Sequence, residues 1–257
     1  LTVMFCDMRG FTKMSEQMEP TKLQELLNSV FSRLTNEIRA NRGTIDKYMG
    51  DCVMAFWGAP VETANHGYLA VKTAIEMTAA VRKINEEYRE KGLPEIGIGI
   101  GLNTGSMCVG DMGSDIRRSY TVIGDSVNLG ARLEGLSKTY GVDIVVSEAT
   151  RKLAPEFAWQ ELDRVRVKGK EQAVAIFWPV VALEKLEKTG ADELKIWNAV
   201  LKAYRGQDWD QCDLQLLNLH RMNAEKYLYD LYSQRVASMR LLPFDPEWDG
   251  ATNFETK

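Results

Sequence analysis

Asp7 closes an apolar run, Leu1-Thr2-Val3-Met4-Phe5-Cys6, and Asp51 opens another, from Cys52 to Trp57. Each carboxylate therefore stands at the edge of a strand expected to be buried. A charge there is costly unless it is paired or bound to a metal. Two carboxylates converging beside a glycine turn, Gly50, supply the oxygen ligands that a two-Mg²⁺ phosphoryl-transfer site needs. The segment after Asp7, Met8-Arg9-Gly10-Phe11-Thr12, opens a helix. Free N–H groups at such a start favour phosphate, and Gly10 lets the backbone approach closely. Taken singly, Asp7 reads equally as a helix-capping aspartate and Asp51 as a hairpin-turn residue.

A third cluster runs from Arg117-Arg118-Ser119-Tyr120-Thr121 through Asp125 to Glu134. Asn128 and Arg132 within it are four residues apart and share one helix face. An amide and a guanidinium together suit a ribose and a negatively charged transition state, although a solvated helix face would carry the same pair. Lys47 stands in a largely apolar hairpin. It needs a partner or a ligand there, or it snorkels at the strand edge. Val167-Lys168-Gly169-Lys170 reads as a turn between strands or as two lysines around a glycine that hold a polyphosphate.

The elements that must position these residues follow from the patterning. Residues 1–7 read as a buried strand, and Pro20 starts a long helix. That helix carries Leu23, Leu26, Leu27, Val30, Phe31, Leu34 and Ile38 at helical spacing. Thr44–Met49 and Cys52–Trp57 form a hairpin around Gly50-Asp51. A helix over 65–91 buries Ala70, Ala74, Met77, Val81, Ile84 and Tyr88. Ile96–Asn103 and Ser106–Asp111 have a second hairpin pattern. In it Gly97, Gly99 and Gly101 alternate with Ile98, Ile100 and Leu102, which leaves one face bare for something to pack closely. A strand at 120–123, a helix over 125–139, a strand at 142–146 and two strands between Trp159 and Trp178 follow. The mixture predicts an α/β or α+β sandwich. Residues 191–240 predict two or three helices, whose Ala203–Asp210 junction resembles half a tetratricopeptide-type repeat. One such unit cannot bury its own face. Leu194, Trp197, Leu201, Tyr204, Leu214, Leu217, Leu228 and Leu231 supply the apolar surface to be covered. The tail beyond is expected to be irregular.

Composition narrows the classes. The chain has 257 residues, 45% of them apolar, and a net charge of −4 without a basic block. A core can form, and binding to bulk nucleic acid or to an anionic membrane surface is not favoured. The four cysteines are scattered, as expected of reduced, mostly buried cytosolic thiols, and the expected location is the cytoplasm. His66 and His220 are far apart and give no zinc pattern. No Ser/His/Asp or Cys/His constellation is present. The longest apolar run, Ala173–Leu183, contains a proline and is too short for a bilayer. The chain opens inside a strand pattern, as a fragment would, leaving room for an upstream sensor or membrane region.

Phe5-Cys6-Asp7-Met8-Arg9-Gly10-Phe11-Thr12, Lys47-Tyr48-Met49-Gly50-Asp51, Thr121 through Arg132 and Val167-Lys168-Gly169-Lys170 together resemble a class III nucleotide cyclase catalytic domain. The resemblance covers roughly residues 1–180, with 181–257 as a helical extension. Four motifs in order make it specific. It implies an α+β, ferredoxin-like (palm-like) βαββαβ fold with extra strands. It implies ATP as substrate and two Mg²⁺ or Mn²⁺ per site, held by Asp7, Asp51 and the Met8 carbonyl. Lys47 and Thr121 would read adenine, Asn128 would orient the ribose, and Arg132 would stabilise the transition state. Lys168 and Arg117 or Arg118 would hold the β- and γ-phosphates, with Gly10, Phe11 and Thr12 lining the phosphate side. The commonest adenine reader has aspartate where Thr121 stands; threonine marks a mainly bacterial subtype, some of whose members respond to bicarbonate. Guanine readers typically carry Glu and Cys where Lys47 and Thr121 stand. The family builds its site between two domains. This chain carries both sets of residues, which implies a homodimer. The alternatives are a guanylate cyclase and an inactive dimerisation or sensing domain. A palm-type cyclase joining two GTP molecules would need a Gly-Gly-Asp/Glu-Glu-Phe hairpin, which Met49-Gly50-Asp51-Cys52 is not.

Overall fold

A computed structural model describes residues 1–167 and 171–254. These fall into two compact units, Leu1–Lys138 with Val142–Pro155, and Thr139–Gly141 with the chain from Glu156 onward. The first contains β1 (Thr2–Arg9), α1 (Phe11–Gln17), α2 (Pro20–Ala40), β2 (Thr44–Met49), β3 (Cys52–Trp57), α3 (His66–Glu90) and β4 (Gly97–Thr104). It continues through β5 (Cys108–Gly113), β6 (Arg118–Ile123), most of α4 (Asp125–Tyr140), β7 (Ile144–Ser147) and α5 (Glu148–Lys152).

Strands β4, β1, β3 and β2 lie side by side in that order, each antiparallel to its neighbour. That is the ferredoxin-like arrangement of a βαββαβ unit, and β7 adds to β4 in parallel. The Val3–Cys6 stretch of β1 is continuously apolar because both of its faces are covered. Val3 and Phe5 join a core cluster with Met54, Phe56, Val122 and Val127. Met4 and Cys6 alternate to the other face and are also buried. Helix α3 packs against β1, β3 and β4, and all six residues of its expected stripe are buried. Side chains of this size stabilise the fold by about 1.5–3 kcal/mol each when fully buried.

The bare glycine face of β4 is where α4 sits. A Cβ on Gly101 would lie 2.2 Å from the Glu134 backbone nitrogen and 2.4 Å from the Gly130 carbonyl oxygen. Neither backbone atom can move aside as a side chain would. Gly101→Ala is therefore expected to cost at least the roughly 1–3 kcal/mol of core overpacking, read as a lower urea midpoint. Gly135→Ala, on the same helix with nothing within 4 Å, should gain up to about 1 kcal/mol of helix propensity. Equal midpoints for the two variants would mean that α4 is not seated on β4.

The second expected hairpin does not form. Both edges of β4 are taken, by β1 and β7. The next strand, β5, leaves the sheet and pairs with β6 in a two-stranded ribbon. The short α5 carried no expectation.

The second unit holds β8 (Phe157–Val167), β9 (Val174–Ala182), α6 (Lys188–Arg205), α7 (Trp209–Met222), α8 (Tyr227–Met239) and β10 (Thr252–Phe254). β8 and β9 are antiparallel. β10 runs parallel to β8, so the tail is not wholly irregular. Helices α6 and α8 reach β8, and α7 packs against both of them. The Trp197 indole N–H donates to the Glu161 carbonyl at 2.6 Å, and the Tyr232 hydroxyl donates to that of Leu162 at 2.8 Å. Asp163, buried on β8, accepts from Arg235 at 2.7 Å, Tyr140 at 2.6 Å and Thr252 at 2.7 Å. Helix α7 turns Cys212, Leu216 and Leu219 inward. Leu214 and Leu217, part of the apolar surface expected to be covered, are half exposed within this single chain.

Candidate active site

Asp7 lies near the end of β1, opposite Cys52 on β3 and Gly99 on β4. Asp51 is in the β2–β3 turn, where Gly50 takes the positive φ of 65° that the tight reversal requires. Strand pairing thus brings together two carboxylates 44 positions apart in the chain, close enough to share a hydrogen bond. Burial first, then the facing Asp51 charge, push Asp7 up to about 6, while the Met8 backbone N–H pulls the other way. A third carboxyl, Glu134, approaches from α4. Burial and then the charge of Asp7 push it up to about 7. The sequence reading did not single out Glu134; its signal lay in the bare β4 face, which identifies the helix side that meets the sheet. Among the described residues, no group of three or more His, Cys, Asp or Glu side chains is arranged to hold a metal ion by itself.

Gly10 caps α1 in the left-handed region, φ 72° and ψ 13°, with nothing within 4 Å of where a Cβ would stand. Phe11 is half-buried and Thr12 exposed at the start of that helix.

A separate cluster joins β2 to β6. The Thr121 hydroxyl and the Val122 backbone N–H donate to Asp46 Oδ2, at 2.5 and 3.3 Å. Lys47 Nζ lies 3.3 Å from Asp46 Oδ1. Lys47 is exposed beside Tyr48 and Met49, so its surroundings are more open than an apolar hairpin suggests. Asn128 is exposed and Arg132 half-buried, one turn apart on α4. Arg117 and Arg118 are exposed on the β5–β6 ribbon, Arg118 lying 3.6 Å from Asp115. Lys168, with Gly169 and Lys170, lies outside the described residues. Among the described residues no ion pair or hydrogen bond joins the Asp7–Asp51 pair to the Lys47–Asp46–Thr121 cluster.

The first unit thus presents paired carboxylates at a strand edge, a polar cluster joining β2 to β6 and a helix bearing an amide and a guanidinium. Residues 1–179 match the family model for the adenylate and guanylate cyclase catalytic domain. The chain belongs to that family. It is 40% identical over 185 residues to an adenylate cyclase of Anabaena cylindrica, covering 69% of this chain and 36% of that protein. It is 32% identical over 192 residues to adenylate cyclase 1 of Rhizobium meliloti, covering 74% and 29%. The chain thus spans about a third of the length of these relatives. Among solved structures it is similar to the adenylyl cyclase CyaB from P. aeruginosa, with a TM-score of 0.66 and 34% identity, covering 72% of this chain and 96% of that one. It is similar also to the guanylyl cyclase Cya2, with a TM-score of 0.64 and 33% identity, covering 72% and 93%. No described helix is long and apolar enough to cross a membrane.

Proposed function

We propose that this chain is the catalytic region of an adenylate cyclase, converting ATP to 3′,5′-cyclic AMP and pyrophosphate at sites shared between two copies. The facing pair Asp7 and Asp51 carries this reading. Two like charges are held together at a buried strand edge, and their oxygens are the donor set that hard divalent cations take. Two Mg²⁺ or Mn²⁺ ions, held by Asp7, Asp51 and the Met8 carbonyl, would neutralise phosphate charge and ease deprotonation of the ribose 3′-hydroxyl. The chain's own residues do the rest. Lys47 and Thr121 bind the adenine edge, and Asn128 holds the ribose so that O3′ lies in line with the α-phosphorus. Arg132 meets the charge that develops there. Arg117 and Lys168 hold the departing pyrophosphate, and the backbone around Gly10, Phe11 and Thr12 closes over the phosphates. No side-chain nucleophile is required.

The chain carries both sets of residues that a shared site needs. One copy offers the aspartates and the other offers Lys47, Thr121, Asn128 and Arg132, as a C2 dimer permits. Both adenylyl and guanylyl cyclases stand among the similar structures; Lys47 and Thr121, where guanine readers typically carry Glu and Cys, favour ATP over GTP. The division into a catalytic region over 1–180 and a helical extension over 181–257, placed in the cytoplasm and driven by a sensor elsewhere in the full protein, belongs to the same proposal.

Turnover of ATP against GTP, with and without Mn²⁺, tests the activity, and thermal melting tests the metal directly. Metal at 100 times its dissociation constant should stabilise the protein by about 2.7 kcal/mol. Metal ligation needs the ionised carboxylates. Asp7 is raised to about 6, so this stabilisation should be full above that pH and fade as pH falls through it. Without metal the sign reverses: a carboxyl raised in the fold favours the folded state at low pH, and that contribution is lost as pH rises from about 4 to 6. A metal-induced melting shift that is the same at pH 5 and pH 8 would reject the assignment.

A further inference from the structure

Asp46 has no part in the reading above, yet it is the most constrained polar group near the base-reading residues. Its side chain is 0% exposed. It sits at an irregularity in the β2–β3 ladder: Ile45 pairs with Ala55 and Lys47 with Met54, leaving Asp46 as the extra residue of a bulge. Bulges re-aim side chains. This one sends Asp46 inward while its neighbour Lys47 stays at the surface and still reaches it.

The three partners of Asp46 fix the direction of every hydrogen in the cluster. The Val122 N–H can only donate, and it meets Oδ2 at 3.3 Å. The Lys47 ammonium can only donate, and it faces Oδ1 at 3.3 Å. Oδ1 has no hydrogen-bond partner and is buried from solvent. Both oxygens therefore face groups that can only donate, and Oδ2 acts as the acceptor. The proton in the Thr121–Asp46 bond must then come from the Thr121 hydroxyl. That hydroxyl has one hydrogen, and it is committed inward. What remains for a ligand is a pair of lone pairs.

We propose that Asp46 is a positioning residue for base selection: by holding the Thr121 proton it makes Thr121 an obligate acceptor, which complements the 6-amino group of adenine and repels the 6-oxo group of guanine or hypoxanthine. A free threonine hydroxyl would not discriminate, because it can rotate to donate or to accept. Asp46 also anchors Lys47, whose ammonium would otherwise swing to any acceptor on the base edge. The proposal rests on Lys47 and Thr121 being the base readers.

The test compares kcat/KM for ATP, inosine triphosphate and purine riboside triphosphate, which present an amino group, an oxo group and hydrogen at position 6. Asp46→Ala removes the acceptor and frees the hydroxyl hydrogen. The ATP-to-inosine triphosphate preference should fall about tenfold, the order expected when a buried polar group loses its fixed partner. Asp46→Glu, which keeps a carboxylate acceptor, should retain more of the preference than Asp46→Ala. An equal loss with all three nucleotides, leaving the ratios unchanged, overturns the proposal. Should Asp46→Ala fail to melt as a folded protein, Asp46→Ser replaces it, with the same expected fall in preference. Thr121→Val separates the two levels. If it lowers the preference for ATP over purine riboside triphosphate and Asp46→Ala changes no ratio, only the role of Asp46 is wrong. If Thr121→Val itself changes no ratio, the base-reading assignment fails and the proposal falls with it.

Discussion

Asp7→Ala and Arg132→Ala are each expected to be inactive alone and to recover activity when mixed. Loss of Asp7 removes a metal ligand. A bound metal contributes several kcal/mol of charge stabilisation in such reactions, and each 1.4 kcal/mol or so is tenfold in rate. The expected fall is about a thousandfold or more. Arg132 belongs to the other half of the site. In a mixed dimer one site takes both damaged residues and the second takes neither. Random exchange makes about half the dimers mixed, each with one intact site, so roughly a quarter of the wild-type activity should return. The measurement is cyclic AMP formation after refolding or prolonged co-incubation, alongside a tagged pull-down that confirms exchange. Exchange without recovery would place all the residues of a site on one chain and end the shared-site reading.

The second large effect separates binding from catalysis. Arg132 is half-buried on α4, and in the proposed mechanism it meets charge that forms only during reaction. Arg132→Ala should lower kcat by about 10²–10³-fold, as loss of one preorganised donor does, with KM little changed. Steady-state kinetics with ATP decides it. A rise in KM at constant kcat would move Arg132 to ground-state phosphate binding. Arg132→Lys should recover only part of the loss, because an ammonium lacks the planar donor fork.

Much of this arrangement was readable from the residues. The Asp7 and Asp51 positions follow from two apolar runs that each end or begin at a charge, and the β2–β3 turn follows from Gly50. The alternation of Gly97, Gly99 and Gly101 foretold a close neighbour without saying that it would be α4. Strand partnership was less legible. Gly97–Thr104 and Cys108–Gly113 look like a hairpin because they are adjacent and strand-like, but pairing is decided by which edges remain free, a property of the whole sheet. Which leucines of α7 the chain itself buries was also hard to read: Leu214, Leu216, Leu217 and Leu219 are all apolar, and the packing of α7 against α6 and α8 takes Leu216 and Leu219 inward. Asp46 was missed because a bulge cannot be read from alternation; a regular strand would have placed it and Lys47 on opposite faces. Lys168 carries an expected phosphate contact and lies outside the described residues.

The seat of α4 on the sheet has a mechanical corollary. At Gly101 and Gly130 backbone meets side chain or backbone with no spacer, so the helix is keyed to β1 and β4 as a cog is to its rack, without play. The inner side of that helix brings Glu134 beside Asp7, and its outer side carries Asn128 and Arg132. On the shared-site reading, each α4 therefore touches one reaction centre with its inner side and the neighbouring centre with its outer side. A tilt of this single rod would detune both centres in one stroke, and neither could be adjusted without the other.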